Sequence, residues 1–503
     1  TDNFEWPRHT ADFTLLRAYV GPNGEAAEYS PDNVPYKSKA RLRVQKEGAS
    51  EGDMVFLLGF PGQTMRYAPT SRLQYSDEVA VPQMVQNFGR KLQLIAEYET
   101  DSPEAALKLG NSKKGLANEL KRSKGKLVMM RKLGLLKERK SEEQELCRLA
   151  GSDADQAFKR VEEIYHEFQQ DAPVASALEA CRGIYAGSSL MATGHALHEY
   201  ICIEKSKPDE EREASYRDRN LPFLFKRLVK RIADIHVPHE VALIQDAVKT
   251  LSGTSQLDAL HEKVAETLGS DVETIVQASK LKKLDSDTLQ TLSDNEELCA
   301  SLLEDPFLQC AAVLWDTYKN DRDKSKALFS ERDALFSKML EFQRLHSDEV
   351  FYPDCNGSLR ISAGHVEGYK PADAVEHKPS TTLAGLFDKV VEAKLSMDLS
   401  KIDEFSCPER LYEMLSSGDP NISEVPVCVL YSTDTVGGNS GSPVLNADGE
   451  FIAINFDRQR QGLMNEFKWS REYSRSIGVD VRYILWLTGE YDGASYLVEE
   501  MLS

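Results

Sequence analysis

Apolar residues fall into three successive patterns along this chain. Up to about residue 75 they come in short runs bounded by turn residues. Ala40-Arg41-Leu42-Arg43-Val44 alternates, Met54-Val55-Phe56-Leu57-Leu58 is continuous, and Gly59-Phe60-Pro61-Gly62 closes that run. These patterns predict strands and a turn. From about Asp77 to Glu349 the period becomes helical, as in Ala157-Phe158-Lys159-Arg160-Val161-Glu162-Glu163-Ile164-Tyr165, Phe223–Ile235, Val241–Leu251 and Ala327–Leu345. Ser141-Glu142-Glu143-Gln144 has the form of a capping box and predicts a helix start there. The strand pattern returns after Phe351, with Leu359-Arg360-Ile361-Ser362, Val427-Cys428-Val429-Leu430-Tyr431, Val444-Leu445 and Phe451–Phe456. Asn446-Ala447-Asp448-Gly449 reads as a hairpin turn between the last two. Helices at Tyr483–Leu487 and Tyr496–Met501 end the chain.

A helical stretch this long is a domain of its own, not a connection. The expected organisation is therefore a β segment over 1-75, an inserted α-helical cap domain over 76-349, and a β domain with terminal helices over 350-503. The 503 residues suffice for about three full cores.

A net charge of −20 argues against nucleic acid, whose phosphates call for Lys/Arg surfaces, and equally against a membrane surface. No apolar run is long enough to predict membrane insertion. The eight cysteines are scattered, with neither zinc-type spacing nor a dense disulfide pattern. Thr1-Asp2-Asn3 opens the chain without Met or a signal segment, which reads as a mature product or a fragment. His195 with His198, and His236 with His239, are spaced for one helix face. Metal binding would need further ligands, and Pro238 interrupts the second pair, so a structural or surface role is expected and no metal.

The chemistry concentrates in Gly437-Gly438-Asn439-Ser440-Gly441-Ser442-Pro443, framed by strands on both sides. Its glycines let the backbone fold back so that the N–H groups of Gly438 and Ser440 aim at one point beside the Ser440 hydroxyl. Two such donors form an oxyanion hole, each lowering the barrier by about 3 kcal/mol. A serine nucleophile also needs a base, usually His, and a carboxylate to orient it.

The opening Asp2-Asn3-Phe4-Glu5-Trp6-Pro7-Arg8-His9-Thr10-Ala11-Asp12-Phe13, the nucleophile loop and Phe456-Asp457-Arg458 together resemble the dipeptidyl-peptidase 7/11 family of bacterial serine exopeptidases. Arg17-Ala18-Tyr19-Val20, Asn33-Val34-Pro35-Tyr36-Lys37, Gly59–Gly62 and Val479-Asp480-Val481-Arg482-Tyr483 extend the resemblance over essentially the whole chain. It implies an α+β fold, a chymotrypsin-like double β-barrel with a large inserted all-helical domain, the first barrel only partly present. It implies Ser440 as nucleophile and Asp12 as the triad acid. Asn3, Phe4 (where the family has Trp) and Asn118 would grip the substrate's amino terminus. The family's base lies upstream of the motif that ends at Asp12, so it is expected before Thr1. His9, three residues from Asp12, does not match it. On that basis the chain alone is expected to have little activity. The resemblance further implies oligopeptide substrates with a free N-terminus, no cofactor, and a periplasmic, cell-surface or secreted location. It leaves a homodimer open.

Arg458 follows the strand beyond the nucleophile, where a guanidinium can clamp a carboxylate with two parallel hydrogen bonds. In the family, Arg here goes with the dipeptidyl-peptidase 11 branch, which cleaves after Asp or Glu. Asp457 is read either as a partner of Arg458 or as a further holder of the substrate ammonium. Asp434, six residues before Ser440, supplies a rival reading with a preference for basic side chains, unless Arg458 neutralises it. An apolar preference and a catalytically inactive peptide-binding protein are the remaining alternatives.

Overall fold

The computed structural model describes residues 2–346, 351–396 and 405–503; the boundary expected at 349/350 lies outside them. The chain divides into two compact units. One comprises Thr1–Ala68, Val128–Leu133 and Val350–Ser503, and the other Pro69–Leu127 and Gly134–Glu349.

The first unit is built on a seven-stranded sheet. In chain order its strands are β3 (Met54–Gly59), β4 (Arg360–His365), β7 (Ser380–Thr382), β8 (Pro426–Tyr431), β9 (Pro443–Asn446), β10 (Phe451–Arg458) and β11 (Ser476–Asp480). Two small antiparallel pairs stand apart, β1 (Tyr19–Val20) with β2 (Val34–Pro35) and β5 (Tyr369–Ala372) with β6 (Val375–His377). The large sheet runs β4-β3-β9-β10-β11-β8-β7 with antiparallel neighbours. It ends on two different strands rather than closing, although a single bridge joins Val366, just after β4, to Tyr431 at the end of β8.

The apolar runs have a direct cause. On β8, Val429 and Tyr431 enter one core with Val55, Leu57, Val444 and Ala453, while Cys428 and Leu430 enter another with Leu383, Ile477 and Ile484. A strand buried on both faces needs no polar alternation, so it reads as a continuous run. β3 pairs with β9 (Leu57↔Val444) and with β4 (Met54↔His365), joining the strands that carry the nucleophile loop. Ala40–Val44 does not form the strand that its alternation predicts. Only Val44 makes a bridge, to Phe451, and the segment is otherwise irregular and largely exposed. Alternation without a partner strand or a core face leaves backbone groups to water, and no ladder forms.

The second unit is helical, beginning with Thr70–Tyr75 and ending with the long helix Pro306–His346. In the helix Ser152–Cys181, Ala157, Val161, Ile164 and Tyr165 are buried at the spacing the sequence shows. Its largest core joins Leu178, Leu190, Leu228, Ile244, Phe307 and Leu314 from successive helices. The predicted capping box is not a helix start: Ser141 lies inside the helix Leu135–Ala150 and its hydroxyl donates to the Lys137 carbonyl at 3.1 Å. Glu143 of that motif instead caps the next structure in space, accepting from the Thr70 N–H. Among the described residues no single helix is long and apolar enough to cross a membrane.

Candidate active site

The loop Gly437–Ser442 joins β8 to β9 and is pinned to β10. Asn455 on β10 supplies most of the attachment, its carbonyl accepting from Gly441 N–H at 2.7 Å and its amide donating to the Asn439 carbonyl at 3.1 Å. The Asn455 Oδ1 is fixed in turn by the Tyr431 hydroxyl at 2.8 Å, and Asn439 Oδ1 accepts from Val436 N–H at 3.0 Å. Against this loop lies the end of β3. Gly62 N–H donates to the Gly437 carbonyl at 2.7 Å. Gly438 has φ +106°, and a Cβ there would stand 2.4 Å from the Phe60 carbonyl oxygen. Both its backbone angle and its neighbour therefore require glycine.

Ser440 is exposed and its hydroxyl donates to the Phe456 carbonyl at 3.1 Å. Among the described residues the N–H groups of Gly438 and Ser440 donate to no protein acceptor. The nucleophile candidate thus touches the strand that ends in Asp457 and Arg458. Asp457 collects two donors from the N-terminal segment, Phe4 N–H at 2.9 Å and the Arg8 guanidinium at 2.7 Å, and a third from its own neighbour, the N–H of Arg458 at 2.8 Å. Arg8 is 4% exposed, also donates to Asn3 Oδ1 at 2.9 Å and to the Asp2 carbonyl, and lies over the Phe456 ring. Phe4 is buried with φ +61°, a conformation costing a non-glycine residue about 1–3 kcal/mol and persisting where surroundings impose it. Trp6 anchors this segment in the core through Nε1–H to the Lys378 carbonyl at 3.0 Å, and Thr381 Oγ1 donates to the Arg8 carbonyl at 2.7 Å.

Sequence reasoning did not single out Arg8. The ion pair spans 449 positions, which no local pattern reveals; its one signal was its place inside the quoted Trp-Pro-Arg-His motif.

Arg458 is 7% exposed and its guanidinium lies 3.5 Å from Glu466. Asp434 is held by a different cation from the one expected: Arg66 pairs with it at 2.7 Å, and Arg66 itself is buried. Burial pushes the Asp434 carboxyl up, against the pull of Arg66 and, more weakly, of Arg458. The carboxylate that the basic-preference reading needs is thus already compensated.

Asp12 lies on an exposed irregular stretch, and among the described residues no hydrogen bond or ion pair engages its carboxylate. His9 packs against Gly385, with burial as the main cause and Lys389 as the next lowering it to about 4. It makes no hydrogen bond to Asp12 or Ser440. Asn118 lies in the helix Pro103–Lys132, within the helical unit. His195 and His198 are buried and pushed down by burial, and no cluster of three potential metal ligands occurs among the described residues.

The family model described as peptidase S46 matches residues 1–503. The chain belongs to the peptidase S46 family. An Asp/Glu-specific dipeptidyl-peptidase of Shewanella putrefaciens is 29% identical over 550 residues, covering 99% of this chain and 71% of that protein. The dipeptidyl-peptidase 7 of Phocaeicola vulgatus is 26% identical, covering 100% of this chain and 70% of its own length. Among solved structures, Porphyromonas endodontalis DPP11 in complex with the dipeptide Arg-Asp superposes with a TM-score of 0.76 at 23% identity, over 99% of this chain and 71% of that one. That likeness establishes the mixed helix-and-sheet fold of this S46 peptidase.

Proposed function

We propose that this S46 peptidase releases dipeptides from the free amino terminus of oligopeptides, cutting after Asp or Glu through an acyl-enzyme on Ser440. The observation that carries the reading is the continuity of Ser440, Phe456, Asp457, Arg8, Asn3 and Phe4. The nucleophile's hydroxyl is bonded to residue 456, and residue 457 organises the N-terminal segment. A group that grips an ammonium beside the nucleophile restricts cleavage to a fixed distance from the chain end. In this reading Asn3, the backbone of Phe4 and Asn118 take the ammonium, and Asp457 with Arg8 holds that grip in place. The unengaged Gly438 and Ser440 N–H groups receive the developing oxyanion. Asp12 orients a base that the resemblance expects before Thr1.

Arg458 is the specificity residue of the proposal. Its buried guanidinium sits two residues beyond Phe456, and a substrate carboxylate would compete with Glu466 for it. The double-barrel arrangement also belongs here: residues 350-503 would form the nucleophile-bearing barrel and residues 1-75 the remainder of the other, although β3 from the latter pairs with β9 of the former. A periplasmic or cell-surface location remains part of the proposal on the family resemblance alone.

The test compares Leu-Asp and Leu-Leu fluorogenic substrates in the full-length enzyme. Arg458→Gly leaves the substrate carboxylate without its cation, a loss of about 3–5 kcal/mol, or roughly two to four powers of ten in kcat/KM on Leu-Asp. Activity on Leu-Leu is expected to survive. Equal loss on both substrates would make Arg458 structural and end the acidic assignment. Asn118→Ala is expected to lower kcat/KM for free-amine substrates by about 1.5–3 kcal/mol, and amino-blocked substrates should be poor from the start.

A further inference from the structure

Within the helical unit, one cavity of about 550 Å³ gathers arginines in a chain whose net charge is −20. Two of its cations are spoken for: Arg322 pairs with Glu199 at 2.7 Å and Lys326 pairs with Glu213. Arg182, Arg227 and Arg231 face the same space and, among the described residues, make no ion pair. Partly buried arginines are ordinarily matched by carboxylates, because an uncompensated cation out of water is costly. Here two such arginines, Arg182 and Arg231, stand beside the exposed Arg227.

The donors are held in place. The Arg182 guanidinium lies 4.0 Å from the Tyr318 ring centroid and spends its Nε–H on His195 Nε2 at 3.0 Å, leaving both terminal nitrogens for a ligand. Because His195 Nε2 accepts that bond, the ring proton sits on Nδ1, a buried donor without a partner. His195 is only 5% exposed and lines the cavity. Arg231 is fixed by the carbonyls of Gly183 at 2.6 Å and Gly187 at 3.4 Å. Leu224 and Leu228 supply an apolar wall, and the volume is in the range of small-molecule sites.

We propose that this cavity is a binding site for a small anion carrying two or more negative charges, a polycarboxylate or a phosphate, clamped by Arg182, Arg227 and Arg231 with His195 Nδ1–H as a further donor. Guanidinium forks match both carboxylate and phosphate oxygens, so the charge and the donor geometry define the class. The site is independent of the peptidase reading and uses none of its residues.

Isothermal titration calorimetry on this chain, with citrate and pyrophosphate as probes at fixed ionic strength and chloride as the monovalent control, tests it. One-to-one binding of either probe, with none of chloride, is expected. Citrate alone would identify a carboxylate ligand, pyrophosphate alone a phosphate, and both a site read by charge. Arg182→Gln should weaken binding about tenfold or more, the usual effect of losing a hydrogen bond to a charged group. Arg227 is exposed, so Arg227→Gln keeps the fold and should weaken binding by about three- to tenfold after screening. The proposal is overturned if neither probe gives saturable heat up to about 10 mM, the weak end of specific affinity. It is equally overturned if Arg227→Gln and Arg182→Gln bind as the unmutated chain does.

Discussion

Three donors converge on the carboxylate of Asp457, and two of them come from residues more than 400 positions away. The Arg8–Asp457 pair is buried, with side-chain exposures of 5% and 10%, so its members cannot be exchanged for water when one is removed. Arg8→Met is expected to destabilise the folded chain by about 3–5 kcal/mol in urea unfolding, because it strands a buried anion. An effect below about 1 kcal/mol, typical of exposed pairs, would show that water already reaches this carboxylate. His9 supplies a second prediction. Its folded pKa is lowered to about 4 from 6.5, so between these values the unfolded chain binds a proton that the folded chain does not. Stability attributed to His9 is therefore complete above pH 6.5 and is lost as pH falls towards 4. Going from pH 7 to pH 5, His9→Asn should lose less stability than the unmutated chain, by about 1–2 kcal/mol. Identical pH profiles would mean that His9 stays hydrated. At this scale the need for glycine at 438 was legible, because a tight loop of this composition is a local signal, while Ser440 and Arg458 keep the roles proposed above. The sequence did not announce Arg8 or Arg66, because a buried ion pair between distant segments leaves no local trace.

Between residues and the whole lie the strands and the loop they carry. The apolar run of β8 was legible because a strand buried on both faces needs little else, and those of β3 and β10 because they bury one face and half-bury the other. The helices Leu221–Ala233 and Val237–Ser252 were legible because one stripe of each faces the core. Ser141–Gln144 misled because a capping-box composition also occurs on the solvated face of a helix interior. The neighbour order of the sheet was not legible at all, since pairing depends on which strands meet rather than on what each contains. One contact ties this scale to catalysis. A Cβ on Gly59, the last residue of β3, would stand 2.5 Å from the Asn439 amide and from the Ser442 hydroxyl. Gly59→Ala should therefore push the nucleophile loop without disturbing the sheet. In the full-length enzyme kcat/KM is expected to fall by about 10²-fold, the effect of misplacing a reacting group by an ångström, while the unfolding midpoint moves little. A large loss of stability with kcat unchanged would place the strain in the sheet instead.

For the whole molecule, the two compact units interleave along the chain, one of them taking in Val128–Leu133 from within the stretch that the periodicity reads as helical. The helical unit has its own core, with Leu190, Ile244, Leu251 and Phe307 all but inaccessible to water. A fragment ending at residue 346 should therefore keep a protease-resistant helical portion while residues before 69 are cut. Limited proteolysis with mass spectrometry reads this directly. Uniform digestion of the fragment would show that the helical unit depends on the sheet.

The pairing of β3 with β4 also sets a timetable. Some 300 residues separate the two strands, and β9 follows later still. At a synthesis rate of about 5–20 residues per second, β3 leaves the ribosome roughly 15–60 s before its first sheet neighbour exists. The loop bearing Ser440 takes its supports from β3 and from β10, which follows later than β4, so it cannot be assembled until β10 has been made. A hydrolase with this connectivity is born inert and gains its cutting edge only once strands made long after β3 have joined it.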